Sequence, residues 1–201
     1  MIRVLIAEDE RLLRDAMTTV LSLEDDILVV AQTGSGAEVA SLVVSERCDV
    51  ALLDIDMPGM NGFEAAEALR ALPSTVPVVI LTAQGRPGYL RRALRAGVRG
   101  FVTKDVSGSQ LAVIIRQVHA GGRYIDPEVA EDAMFVGECP LGPRELEVLR
   151  LAEGGRSLGT VARELSLSEG TVRNYMSAAM SKLGAGNRLS AIKLARSMGW
   201  L

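Results

Sequence analysis

The 201-residue sequence predicts an α/β protein: a (βα)5 doubly wound parallel sheet, followed by a small all-α domain of four helices. Three observations predict it. Five short apolar runs recur along the first 120 residues, separated by stretches of helical period. The last 60 residues carry helical period alone, broken at glycines and serines. Between them lies GGRYIDPEVAEDAMFVGECPLGP, opened by Gly-Gly and closed among Pro140, Gly142 and Pro143. The expected boundaries are a first domain over 1–120, a linker over 121–140 and a second domain over 141–201.

The candidate strands are Ile2–Ala7, Ile27–Ala31, Val50–Leu53, Val78–Leu81 and Gly100–Thr103. They alternate little between apolar and polar residues, as parallel strands buried on both faces do. Leu13, Met17, Val20 and Leu21 form one helical stripe, and Leu111, Ile114, Ile115 and Val118 another. A short helix is expected at Pro127–Met134 within the linker. In the last domain, Pro143 suits a helix start, with Glu145 and Glu147 in the early turns, and Gly154-Gly155 ends that helix. A second helix covers Leu158–Leu165. After a break at 166–168, with Ser168 as N-cap, a third helix begins, and a fourth spans Asn187–Met198.

Composition narrows the function classes. At 48% hydrophobic and 23% charged residues, the chain sustains a packed core and wholesale disorder is excluded. No apolar run approaches about 18 residues, so membrane insertion is not expected. The opening MIRVLIAEDE lacks the long apolar region of a secretory signal. Cys48 and Cys139 make no disulfide framework and no zinc set. A cytoplasmic protein is expected. Charge is uneven: residues 1–125 carry −2, residues 126–139 carry −5, and residues 140–201 carry +4. A basic final third suggests an anionic partner for that part.

Ligands of doubly wound sheets bind at the carboxyl ends of strands. There the sequence places Glu8, Asp9 and Glu10 after the first strand and Asp54-Ile-Asp56-Met-Pro-Gly59 after the third. Thr82 follows the fourth strand and Lys104 the fifth. Converging carboxylates repel, and a nest of oxygen ligands suits a hard divalent ion such as Mg²⁺. Such a site serves phosphoryl transfer to a carboxylate. By position Asp54 is the phospho-acceptor. Asp9 and Asp54 would hold the metal, with Glu8 through water and the backbone carbonyl of Asp56 as a further ligand. Thr82 and Lys104 would hold the phosphoryl group. Taken singly, Asp9 and Glu10 are ordinary helix N-terminal acids, Thr82 is structural and Asp54 caps a turn. Their joint placement at successive strand ends favours the site. Asp54-Ile-Asp56 also fits an Asp-nucleophile phosphohydrolase, although Met-Pro-Gly follows the pair and the chain has no room for a substrate cap.

Glu8-Asp9, Asp54-x-x-Met57-Pro58-Gly59, Thr82-Ala83 and Lys104 together resemble the receiver domain of two-component response regulators over residues 1–120. The resemblance implies that Asp54 accepts phosphate from a sensor histidine kinase with Mg²⁺. It also implies that Thr82 and Phe101, the aromatic three residues before the lysine, act as switch residues. Many receivers have proline after the lysine, often in cis; this chain has Asp105.

On the third helix of the last domain, Val172, Met176, Ala179 and Leu183 share one face, and Arg173, Asn174, Ser177 and Ser181 another. Two short helices, a tight turn and an outward polar face form the layout of a helix-turn-helix that reads the major groove. Arg173 and Asn174 suit guanine and adenine edges. Thr171, Tyr175, Lys182 and Arg188 suit phosphates. The stretch 165–183 with Asn187-Arg188 resembles the LuxR-type DNA-binding domain of NarL/FixJ response regulators. That family often has His where Tyr175 stands and a basic residue near Ser177. GRPGYLRRALRAG, GTVRNYM and the Gly199-Trp200 ending look similar to regulators of membrane-lipid desaturase genes. The resemblance implies promoter DNA as partner and a homodimer when phosphorylated. A transcription factor that binds DNA independently of phosphorylation is the alternative.

Overall fold

The computed structural model describes residues 1–72, 76–83, 85–135 and 139–201. Glu138 and the rest of 136–138, inside the expected linker, lie outside the described residues. The chain divides into two compact units: Met1–Gly85 with Leu90–Glu131, and Arg86–Tyr89 with Asp132–Leu201.

Over residues 1–135, strands and helices alternate: β1 (Ile2–Ala7), α1 (Arg11–Leu21), β2 (Ile27–Thr33), α2 (Val39–Ser45), β3 (Val50–Asp54) and α3 (Gly62–Arg70). They continue as β4 (Val78–Thr82), α4 (Pro87–Arg95), β5 (Gly100–Thr103), α5 (Gly108–His119), β6 (Tyr124–Ile125) and α6 (Pro127–Phe135). The sheet order is β2-β1-β3-β4-β5-β6, and every pairing is parallel. The chain reverses direction across the sheet between β1 and β3. That reversal opens a crevice at their carboxyl ends.

Every residue of β3 and β4 is buried, which is why their sequences read as unbroken apolar runs. Ile6, Leu52, Val79, Leu81, Ile114, Ile115 and Val118 belong to one core under α5. The strands outlast the apolar runs by polar residues: Gln32 and Thr33 in β2, Asp54 in β3 and Thr82 in β4. The sixth strand departs from the five expected. Tyr124 and Ile125 pair with Gly100 and Phe101 of β5. Two residues following Gly121-Gly122 carry too little pattern to predict a strand.

In the second unit, four helices follow: α7 (Pro143–Glu153), α8 (Leu158–Glu164), α9 (Glu169–Lys182) and α10 (Arg188–Ser197). Three are capped by side chains. Ser157 accepts from Thr160 N–H (3.1 Å), Ser168 from Thr171 N–H (3.0 Å) and Asn187 from Ser190 N–H (2.8 Å). Val148, Leu149, Val161, Val172, Met176, Ala179 and Ile192 form the core of this unit. Among the described residues, no helix is long and apolar enough to cross a membrane.

Candidate functional site

The crevice in the first unit gathers the strand-end residues. Glu8 and Asp54 are buried, while Asp9 is exposed beside them. One carboxylate oxygen from each of the three lies within 4.8 Å of the others. Lys104 Nζ stands 2.7 Å from Glu8 Oε2 and 2.8 Å from Asp54 Oδ1. Asp54 Oδ2 accepts the Asp56 N–H at 3.1 Å, so the acidic pair of the loop is joined through the backbone. The Asp56 side chain is exposed.

Thr82 is buried at the end of β4, and its carbonyl accepts the Lys104 N–H at 2.8 Å. Thr82 and Lys104 are thereby coupled along neighbouring strands. Phe101 is buried on β5. Among the described residues no peptide bond is cis, including the one after Lys104.

The loop after β3 turns tightly against the end of that strand. Gly62 donates to the Ile55 carbonyl at 3.1 Å, and a Cβ on Gly62 would lie 2.1 Å from the Asp54 carbonyl oxygen. Only glycine fits that approach. Asn61 then caps α3, accepting from Phe63 and Glu64 N–H groups. Arg14, absent from the expected site residues, donates from its guanidinium to the Glu8 carbonyl. No sequence pattern marks it, because its partner is backbone.

Electrostatics follow from burial. Burial pushes the Glu8 carboxyl above its ordinary value; the Lys104 hydrogen bond opposes this, and the Asp54 charge adds to it. Burial alone would lower the Lys104 ammonium. Hydrogen bonds to Asp54 and Glu8 outweigh that and hold its pKa above the usual lysine value. Glu8 Oε2 is buried, with the Lys104 ammonium 2.7 Å away. Three carboxylate oxygens gathered within 4.8 Å of one another, two of them from buried residues, fit a hard divalent cation.

The second candidate site is α9. Arg173, Asn174 and Ser177 are exposed on it, whereas Val172, Met176 and Ala179 are buried. Several of the other expected contacts already have partners within the unit. Lys182 Nζ bonds Glu145 Oε2 at 2.8 Å, and that oxygen also accepts the Gly142 N–H at 2.6 Å. Arg188 donates to the Arg156 carbonyl at 2.8 Å, and Thr171 Oγ1 lies 2.8 Å from the capping hydroxyl of Ser168. Tyr175 is half-buried against the helical core. Arg173 pairs with Glu169 one turn back at 2.9 Å, an exposed and readily exchanged contact.

A parallel α/β unit with a lysine-bridged acidic cleft, joined in one chain to a capped helical unit with an exposed polar helix, defines a signal-receiving domain with a DNA-reading output. Comparison with known proteins agrees. Residues 4–116 match the family described as response regulator receiver domain, and residues 139–195 match bacterial regulatory proteins of the luxR family. The chain is 42% identical to the transcriptional regulatory protein DesR of Bacillus subtilis, over all of this chain and 99% of that one. It is 39% identical to the response regulator RamR of Streptomyces coelicolor, over all of this chain and 98% of that one. Among solved structures, the response regulator ChrA of a heme-sensing two-component system is 34% identical, with a TM-score of 0.61 over all of this chain and 98% of that one. RcsB of Salmonella enterica bound to promoter DNA shares the fold at 22% identity, with a TM-score of 0.73 over 98% of each chain. The chain belongs to the response-regulator family with a LuxR-type output domain, and it is a phosphorylation-dependent transcriptional regulator.

Proposed function

We propose that residues 1–120 act as the phospho-acceptor domain, 121–140 as the linker and 141–201 as the DNA-reading domain of a cytoplasmic regulator. The phosphodonor is a phosphohistidine on a sensor kinase. An Asp54 carboxylate oxygen attacks phosphorus; a P–O bond forms, the P–N bond breaks, and the imidazole leaves with the electron pair and takes up a proton. The Lys104 ammonium and the Thr82 hydroxyl then hold phosphoryl oxygens. Asp9, Asp54, the Asp56 carbonyl and, through water, Glu8 would hold Mg²⁺, which would supply positive charge against those oxygens.

Thr82 and Phe101 serve as the switch. Phosphorylation shifts the population toward a homodimer whose two α9 helices sit about one DNA turn apart, roughly 34–36 Å. Arg173, Asn174 and Ser177 face base edges, and Thr171, Tyr175, Lys182 and Arg188 face phosphates. A promoter of a membrane-lipid desaturase gene is the first target to test.

The observation that carries this reading is the Lys104 ammonium held at 2.8 Å from Asp54 and 2.7 Å from Glu8. Full-length protein treated with acetyl phosphate and Mg²⁺ gains one phosphoryl mass, and Asp54→Asn gains none. Equal labelling of the two proteins in intact-mass spectra rejects the assignment.

A further inference from the structure

Helix α6 begins against β5, which carries Phe101, and against Gly85, three residues past Thr82. Asp126 stands just before it and uses three polar atoms. Its N–H donates to the Phe101 carbonyl at 2.9 Å. Its Oδ2 accepts the Thr103 hydroxyl at 2.8 Å, and its Oδ1 accepts the Glu128 N–H at 3.0 Å, capping the helix. Phe101 and Thr103, two residues apart on β5, point to the same face of the sheet. Lys104 follows Thr103 directly.

One turn into α6, Val129 is buried. A Cβ on Gly85, three residues after Thr82, would lie 2.3 Å from Val129 Cγ2 and 3.4 Å from Thr103 Cγ2. The first turn of α6 therefore rests on the segment after Thr82 and on the strand before Lys104. The main chains of Thr82 and Lys104 are themselves joined by a 2.8 Å hydrogen bond.

We propose that Asp126 is a positioning residue that latches the first turn of α6 onto Thr103 and Phe101, and that phosphorylation of Asp54 loosens this latch. The inference rests on Asp54 being the phospho-acceptor. Drawing the Thr82 hydroxyl and the Lys104 ammonium toward a phosphoryl group displaces the residues beside them, Gly85 and Thr103. Those are the surfaces α6 sits on. Packed contacts as close as Gly85 on Val129 do not deform smoothly, so a small shift at the cleft becomes a change between attached and detached first turns. Asp126 thereby makes the start of the linker sensitive to the state of Asp54.

Hydrogen exchange on the full-length chain tests this, with intact mass reporting phosphoryl content in the same samples. In the wild type, labelling with acetyl phosphate and Mg²⁺ speeds exchange of the 128–131 amides by about fivefold, the scale of one or two hydrogen bonds. In Asp126→Ala and in Thr103→Val those amides exchange fast in both states, and labelling changes them by less than about twofold. Phosphoryl stoichiometry stays at the wild-type level in both. Thr103→Ser, which keeps the hydroxyl, restores the wild-type response. If wild type labels fully without a change at 128–131, or if both hydroxyl-bond variants keep the wild-type response, the latch is overturned while the phospho-acceptor assignment stands. If wild type does not label at all, both fall.

Discussion

The acidic cleft and the exposed face of α9 are built in opposite ways. The cleft joins Glu8, Asp54 and Lys104, which lie on three different strand ends and are brought together only by the completed sheet. The α9 face is local: Arg173, Asn174 and Ser177 share it through helical period alone. The cleft holds buried charge in fixed contacts, so losing one member exposes the others to uncompensated repulsion. The helix face holds exposed donors in exchangeable contacts, so its members can be lost one at a time. One site is suited to covalent chemistry on a single carboxylate, the other to reading a varied surface.

The comparison is broken most severely at Lys104. Lys104→Ala leaves the buried carboxylates of Glu8 and Asp54 facing each other. The first unit is expected to lose about 3–5 kcal/mol in urea unfolding without divalent ions, and phosphorylation no longer raises DNA affinity. A variant as stable and as responsive as wild type would show that the cleft is not a coupled unit.

Glu145 tests whether the second unit has its own buried anchor. Its carboxylate ties α9 to the start of α7, through Lys182 and Gly142. Glu145→Gln is expected to cost about 1.5–3 kcal/mol at neutral pH, as the loss of a charge-assisted hydrogen bond does. The Lys182 hydrogen bond holds the Glu145 carboxyl below its ordinary value. A depressed carboxylate contributes stability above its unfolded pKa, and that contribution fades as pH falls through the lower folded value. The stability difference between wild type and Glu145→Gln should therefore shrink below about pH 4.3, the ordinary Glu value. A gap constant from pH 7 to pH 3 in chemical unfolding would contradict the anchor.

Arg173 sharpens the comparison from the helix side. Among the described residues it pairs with Glu169, and releasing an exposed pair costs about 1 kcal/mol or less. Arg173→Ala is expected to weaken specific DNA binding by about 1–3 kcal/mol and to leave folding stability nearly unchanged. Titrations against the operator and against base-substituted sites separate the outcomes. An equal loss on every sequence would assign Arg173 to phosphate rather than to a base.

The two sites were also legible in different degrees. β3 and β4, buried along their whole length, announce themselves as apolar runs, and their polar ends, Asp54 and Thr82, fell at the expected edge. Once the strands are known, the cleft follows from which residues stand just beyond them. β6 could not be read, because two half-buried residues have no period. Asp126 carries no strand-end signal either; what makes it notable is the Thr103 hydroxyl across the sheet edge. On α9 the wheel separated packed from exposed residues. It could not reveal that Lys182 and Arg188 are bonded to Glu145 and to the Arg156 carbonyl, since those partners lie 37 and 32 residues away.

Gly62 carries a consequence for how the position of Asp54 can be tuned. A methyl group there would press directly on the main chain of Asp54 from behind. The main chain of Asp54 thus has a neighbour with no slack, the first residue of a helix. Any heavier side chain at that wall would tilt the aspartate without altering a single charge in the cleft. Chemistry at the front of the sheet is in this way hostage to one missing atom on a neighbouring turn.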